Sequence, residues 1–157
     1  MSNSISNIVI AGLGGQGVLT ASDIVAEVAF TAGLDVKKSE IHGMSQRGGS
    51  VSSDVRFGRK VFSPMVPDGE ADFLVVLDAT QVEVNRAALT PGGILIDPSI
   101  LGGHKLKSSK SINVALLGAL SRYLDFPESA WITAITNHLA PKLHAINMDA
   151  FDIGRRA

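Results

Sequence analysis

Apolar positions along the chain change their period several times, and each change marks an element. Residues 7–11 (NIVIA) form a short, nearly continuous apolar run that ends at glycines, the pattern of a buried strand bounded by a turn. From Val18 the apolar and small positions 18, 21, 22, 25, 28, 29 and 32 recur at the three- and four-residue spacing of one helix face. Ala21, Ser22, Ala29 and Ala32 keep that face thin, so the helix can lie close on a sheet, and Gly33 is placed to end it. Residues 34–40 (LDVKKSE) read as a second strand, which gives a strand, turn, helix, strand unit with the right-handed crossover of parallel pairs.

Residues 41–50 (IHGMSQRGGS) follow neither period and read as a loop. Residues 51–63 alternate as a strand, or a hairpin turning at Gly58, and Pro64 and Pro67 close the segment. The run 71–78 (ADFLVVLD) has the continuous apolar character of a parallel strand covered on both faces. A short helix over 80–89 ends at TPGG, and GILIDPS (93–99) is the next buried strand. A Gly/Ser/Lys-rich loop over 100–111 leads to Ser111, a candidate cap for a helix over 112–124 with Val114, Leu117, Leu120 and Leu124 on one side. Pro127 opens a helix over 127–139 whose Trp131, Ile135 and Leu139 share a face. A last helix starts near Asn147 and ends in Arg155 and Arg156, which suit the negative end of its dipole. The order predicts an α/β, Rossmann-like, mostly parallel sheet with helices on both faces and helices at the C-terminus, as one domain over residues 1–157.

Composition narrows the function. Apolar residues make up 45% and charged residues 18% of 157, enough to bury a core of ordinary size. A formal charge of −1 provides no global attraction for nucleic acid or a membrane surface, so neither is expected as a partner. The absence of cysteine excludes disulfides, thiolate-held zinc and cysteine-ligated iron–sulfur clusters within the chain. The four histidines, at 42, 104, 138 and 144, have no second ligand at a metal-motif spacing, so no metal site is expected. The N-terminal residues lack a basic region before a leader-like apolar stretch, and no apolar run approaches the roughly 20 residues of a membrane span. A cytoplasmic location is expected.

Gly12, Gly14 and Gly17 have the G-x-G-x-x-G spacing of a dinucleotide-binding turn. Gly12 permits the tight turn, Gly14 a close backbone approach to an anion, and Gly17 close packing of helix on strand. Binding NAD in the usual pose further requires an acidic residue about 20 positions on, at the end of the second strand. Asp35 falls too early, and that strand ends in Lys37 and Lys38 before Glu40. Three readings stay open here: a compact structural turn, a phosphate-bearing ligand or partner cofactor, and NAD.

Three stretches taken together carry a more specific signal: GLGGQGVLTASDIVAEVA, KKSEIHGMSQRGGSVSSDVRFG and FSPMVPDGEADFLVVLD. They resemble the gamma-type subunits of the 2-oxoacid:ferredoxin oxidoreductases, the pyruvate/ketoisovalerate family. The HGMSQRGGSV loop is similar to that of the indolepyruvate oxidoreductase beta subunits. The resemblance covers residues 7–100, and the segments 112–120 and 147–154 resemble the family's C-terminal helices. One departure is that the piece between the last strand and the helix at 112 is shorter than the family pattern, so the family's usual sheet edge there, and any ligand contact from that segment, is not carried over. The resemblance implies a subunit of an enzyme that oxidatively decarboxylates a 2-oxo acid to an acyl-CoA and passes electrons to ferredoxin. Thiamine diphosphate and iron–sulfur clusters would sit in partner subunits, CoA would enter the complex, and this chain alone would bind no cofactor and be inactive. A homo-oligomer of the isolated chain is a further expectation, as is the alternative of a stand-alone nucleotide- or CoA-binding module.

The candidate binding residues are Gly12, Gly14, Gly15, Gln16 and Gly17 in the turn, and Ser45, Gln46, Arg47 and Gly48 in the loop. Arg47 is the leading choice, since a guanidinium offers a two-pronged fork to carboxylate or phosphate, against the alternative of a surface Arg bridging subunits. His42 is a candidate acid or base because imidazole titrates near neutrality, although no catalytic partner is evident beside it. His104, Lys105, Lys107 and Lys110 can meet CoA phosphates or form a solvated loop. Asp78 and Asp97 end apolar strands where α/β folds place ligands, or cap the helices that follow. Trp131 reads as core or interface.

Overall fold

The computed structural model describes residues 4–42 and 49–157. Five strands form one sheet: β1 (Ser6–Leu13), β2 (Asp35–His42), β3 (Ser50–Gly58), β4 (Ala71–Val76) and β5 (Leu89–Ile96), in the order β2-β3-β1-β4-β5. β1 pairs with β4 and β4 with β5 in parallel, while β3 runs antiparallel to both β1 and β2. Four strands therefore point one way, as the mostly parallel reading expects, and β3 is the exception. The crossover from β1 through helix α1 (Val18–Thr31) passes over β3 to reach β2.

Between its two neighbours β3 sorts its side chains by alternation. Val55 and Phe57 pair with Lys38 and Val36 of β2 and join the main core, while Asp54 and Arg56 point to the opposite face. β2 extends to His42, two residues beyond the predicted strand, and β3 stops at Gly58 with no hairpin partner after it. β5 begins at Leu89, earlier than the GILIDPS reading, with a register irregularity between Ala71 and Phe73 opposite it.

The two faces are covered unequally. On one lie α1, α3 (Ile112–Ser121), α4 (Glu128–His138) and α5 (His144–Arg156), which share a core with Ile8, Ile10, Val75 and Ile96. The other carries the four-residue α2 (Val82–Asn85) between 3-10 turns, packed on Val9, Leu74 and Val76. Segment 59–70 is pinned there as well. The Asp35 carboxylate accepts from the Val61 N–H at 2.8 Å, Asp54 from the Val66 N–H at 2.9 Å, and Arg56 donates to the Ser63 carbonyl at 2.8 Å.

α3 differs from its sequence reading in a useful way. Every residue from Asn113 to Ser121 is buried, so the helix is enclosed all round between the sheet and α5 rather than presenting one apolar side. Ser111 precedes it but makes no side-chain cap; its hydroxyl donates back to the Ser108 carbonyl at 2.6 Å. α5 begins at His144, three residues before the predicted start. At the end of α1, Gly33 takes φ 89° and donates to the Phe30 carbonyl while Leu34 donates to Ala29, the two bonds of a Schellman stop.

Candidate functional site

In a doubly wound sheet, ligands gather beyond the carboxyl ends of the strands, where neighbouring connections leave to opposite faces. Here that point lies between β1 and β4: α1 leaves β1 for the thick face and α2 follows β4 on the thin one. Gln16 of the glycine turn spans the crevice. Its amide oxygen accepts from the Leu13 N–H at 2.7 Å, and its amide nitrogen donates to Asp78 Oδ2 at 2.8 Å, so one side chain ties the end of β1 to the end of β4.

The turn is tightly specified. A Cβ at Gly12 would lie 2.9 Å from the Gln16 amide oxygen and 3.2 Å from Leu77 Cβ. Gly15 and Gly17 have φ of 89° and 85°, values that L side chains avoid. A Cβ at Gly17 would also collide with the Asn113 amide, whose nitrogen donates to the Gly17 carbonyl at 3.2 Å. The Gly14 N–H is already given to the Gly49 carbonyl at 2.9 Å. α1 starts from Gly17 without a side-chain cap.

Asp78 is the charged centre of this arrangement. Oδ1 accepts from the Thr80 hydroxyl at 2.6 Å and the Thr80 N–H at 3.0 Å, which caps the 3-10 turn Ala79–Gln81, while Oδ2 accepts from the Gln16 amide. These donors, Thr80 first, hold its carboxyl below the ordinary aspartate range. Asp97 plays only the capping part of this role, accepting from Ser99 N–H at 3.0 Å at the start of the turn Pro98–Leu101.

Two cavities flank the Gln16 bridge. One, of about 590 Å³, is lined by Gln16, Asp78, Pro98, Lys105, Leu106 and Ser109 among others, so an acidic inner wall faces a basic rim over apolar ground. The other, of about 390 Å³, lies at the start of α1 and is lined by Gly14, Gly15, Gly17, Val18, Thr20 and Val51. Predicted turn residues Gly12, Gly14, Gly15, Gln16 and Gly17 thus come together with Asp78, and Lys105 joins them across the larger cavity.

Other sequence candidates fall elsewhere. Ser45, Gln46, Arg47 and Gly48 lie outside the described residues, as does the side chain of His42. Lys37 and Lys38 face opposite sides of β2 as alternation demands. Lys37 reaches Asp35, whereas Lys38 reaches Asp23 of α1 and Glu40. Lys38 is held above the usual lysine value because, although burial opposes its charge, those two carboxylates outweigh it. Asp35 is spent on Val61 and Lys37, away from the glycine turn. Trp131 is fully buried among Phe126 and Phe151. The Gln16–Asp78 and Gly17–Asn113 contacts escaped the sequence reading because they join residues 62 and 96 positions apart. The one hint was Asp78 at a strand end.

The family model for pyruvate ferredoxin/flavodoxin oxidoreductase matches residues 7–99, a stretch that holds all of the sheet but Ser6, and the Gln16–Asp78 bridge. The chain belongs to this family. An indolepyruvate oxidoreductase subunit IorB of Pyrococcus horikoshii is 35% identical over 193 aligned positions, covering 96% of this chain and 95% of the relative. That alignment is longer than the 157-residue chain, so the relative carries inserted segments that this chain lacks. Among solved structures, the gamma subunit of a keto/oxoacid ferredoxin oxidoreductase from Geobacter sulfurreducens superposes with a TM-score of 0.82 at 23% identity, over 98% of this chain and 95% of that one. A 2-oxoglutarate:ferredoxin oxidoreductase from Magnetococcus marinus, with 2-oxoglutarate, coenzyme A and succinyl-CoA bound, superposes with a TM-score of 0.84 at 22% identity, over 99% of this chain but 31% of that chain. Both likenesses establish the fold. Among the described residues no helix is long and apolar enough to cross a membrane, and no group of histidine and carboxylate side chains is placed to hold a metal ion.

Proposed function

We propose that this chain is the subunit without a redox centre in a cytoplasmic, thiamine-diphosphate-dependent 2-oxoacid oxidoreductase, and that the complex converts an aryl 2-oxo acid such as indolepyruvate to its acyl-CoA with ferredoxin as acceptor. The observation that supports it is the 35% identity to an indolepyruvate oxidoreductase subunit along 96% of the chain. Thiamine diphosphate supplies the ylid that attacks the keto carbon. With no cysteine in its sequence, the chain offers no thiolate for the clusters, which belong to partner subunits.

The chain's own contribution is binding and orientation. Lys105 at the rim of the 590 Å³ cavity is a cation for a CoA phosphate, and Leu77, Leu106 and Ile112 supply apolar wall for its non-ionic part. Arg47, between β2 and β3 in the sequence, is the candidate fork for the 2-oxo-acid carboxylate at the partner's active centre. The whole chain acts as one domain in this reading.

The test is anaerobic co-purification of the tagged chain from its host, with identification of what accompanies it and an assay of CoA-stimulated, 2-oxo-acid-dependent dye reduction. Cysteine-rich and thiamine-binding partners with turnover of indolepyruvate support the proposal. A chain that returns alone and inactive defeats it in favour of the second reading, a stand-alone nucleotide- or CoA-binding module, for which the 390 Å³ cavity at the start of α1 is the motivating feature. That module would be stabilised thermally by CoA or NAD, by about 2.7 kcal/mol at a hundredfold excess over Kd. In the reconstituted complex, Arg47→Ala should lower turnover while leaving the fold of this chain intact.

A further inference from the structure

The glycine turn has dinucleotide spacing, yet three of its main-chain donors are already engaged by the protein. In such turns the second glycine lets backbone N–H groups approach the phosphates. Here the Gly14 N–H donates to Gly49, the Gln16 N–H to Leu13, and the Leu13 N–H to the Gln16 side chain. The crevice between β1 and β4, across which a dinucleotide lies, is spanned by Gln16 and closed at its far side by a carboxylate, Asp78, 2.8 Å from the Gln16 amide nitrogen. The two cavities share no lining residue, and Gln16 and Asp78 line only the larger one.

We infer that Gln16 and Asp78 are a specificity pair that shuts the strand-end crevice to dinucleotides: the protein's own carboxylate stands on the far side of the turn from α1, so a diphosphate is refused there and an anionic ligand is met only from the Lys105 side. Asp78 is ionised, fixed by Thr80 and Gln16, and cannot turn away without giving up the cap of the 3-10 turn. A second negative charge arriving across the crevice meets that fixed carboxylate, against the attraction of the α1 N-terminus. A ligand that satisfies both ends of the larger cavity therefore carries an anionic group for Lys105 and hydroxyl or amino donors for Asp78. This inference is independent of the oxidoreductase reading, because its readout needs no partner subunit and no turnover.

The experiment is titration of the isotopically labelled full-length chain with inorganic pyrophosphate and with NAD, followed through the backbone amides of Gly15, Gly17 and Val18. The wild-type amides should stay in place for both probes. Asp78→Ser keeps an oxygen to cap Thr80 while removing the charge, and it should gain pyrophosphate binding at those amides by roughly tenfold or more. The double variant Gln16→Ala/Asp78→Ser, which removes both the bridge and the charge, should open the same site to NAD. The amide spectrum reports folding at once, and Asp78→Asn provides an isosteric second variant should the serine substitution unfold the chain. Saturable pyrophosphate binding at the glycine amides of the wild-type protein overturns the inference. So does a folded Asp78 variant that remains as indifferent to pyrophosphate as the wild type.

Discussion

Gly154 of α5 rests directly on the main-chain carbonyl of Ala115 in α3, with no room for a methyl group between them. Gly118 makes the reciprocal approach to the Phe151 carbonyl, so the two helices touch backbone to backbone along one seam. That seam lets α5 cover α3 completely, which holds the Asn113 end of α3 against Gly17.

Gly154→Ala should therefore be among the most destabilising single-methyl additions to this protein. Overpacking a dense core typically costs about 1–3 kcal/mol, and here the obstruction is main chain, which cannot rotate aside. Urea denaturation should show the loss, with Gly103→Ala, where a Cβ meets open space, as the silent control.

Gly17→Ala adds two penalties, a left-handed φ of 85° and a clash with the Asn113 amide. The conformational part alone costs roughly 1–2 kcal/mol. Combining it with Asn113→Ala removes the clash and leaves the backbone strain, so the double variant should be less destabilised than the two single losses added together. Additive losses would show that the Asn113 amide does not press on this position.

Trp131 is fully buried, and its indole N–H has no hydrogen-bond partner among the described residues. Trp131→Ala should cost about 3–5 kcal/mol for the lost packing and the cavity. Trp131→Phe should cost clearly less, because the unpaired donor leaves with the smaller volume. Thermal denaturation of the three proteins side by side provides the comparison.

Asp54, on the thin face of the sheet, has its carboxyl pushed above the ordinary aspartate range, because burial outweighs the Val66 N–H it accepts. A carboxyl that binds its proton more tightly when folded favours the folded state below its unfolded pKa of about 3.9, and that contribution is lost as pH rises through the higher folded value. Asp54→Asn keeps an acceptor for Val66 and has no charge to bury. It should stabilise the chain at neutral pH, and the gain should shrink as pH falls toward 4. Stability curves for both proteins against pH give the sign directly.

Several of these features were legible along the chain. The apolar runs at 7–11 and 71–78 became β1 and β4, and the helix face from Val18 became α1 with Gly33 at its stop. The cluster of glycines between them marked the place where the candidate site stands, and the family signal lay in the same residues. Local pattern suffices for such elements because strand burial, helix periodicity and the need for positive φ are properties of neighbours in sequence. Pattern misled where burial was complete. α3 looked one-sided because small residues such as Ala115, Gly118 and Ala119 carry weak apolar weight, yet each is buried against other helices or the sheet.

What the amino-acid order settles here is the inventory of elements, the position of the turn and the exclusion of thiolate chemistry, since each depends on residue type and short-range spacing. Long-range packing settles the rest. Whether a strand enters a sheet parallel or antiparallel, as with β3 between β1 and β2, depends on edges formed by segments far apart in the chain. The same holds for the use of the turn. Gly12, Gly14 and Gly17 are compatible with a nucleotide until Asp78 arrives from 62 residues beyond Gln16 and accepts the hydrogen bond that bridges β1 to β4. A hydrogen bond is short-ranged and directional, so only folding brings its two ends to 2.8 Å and gives the glycine turn its chemical character.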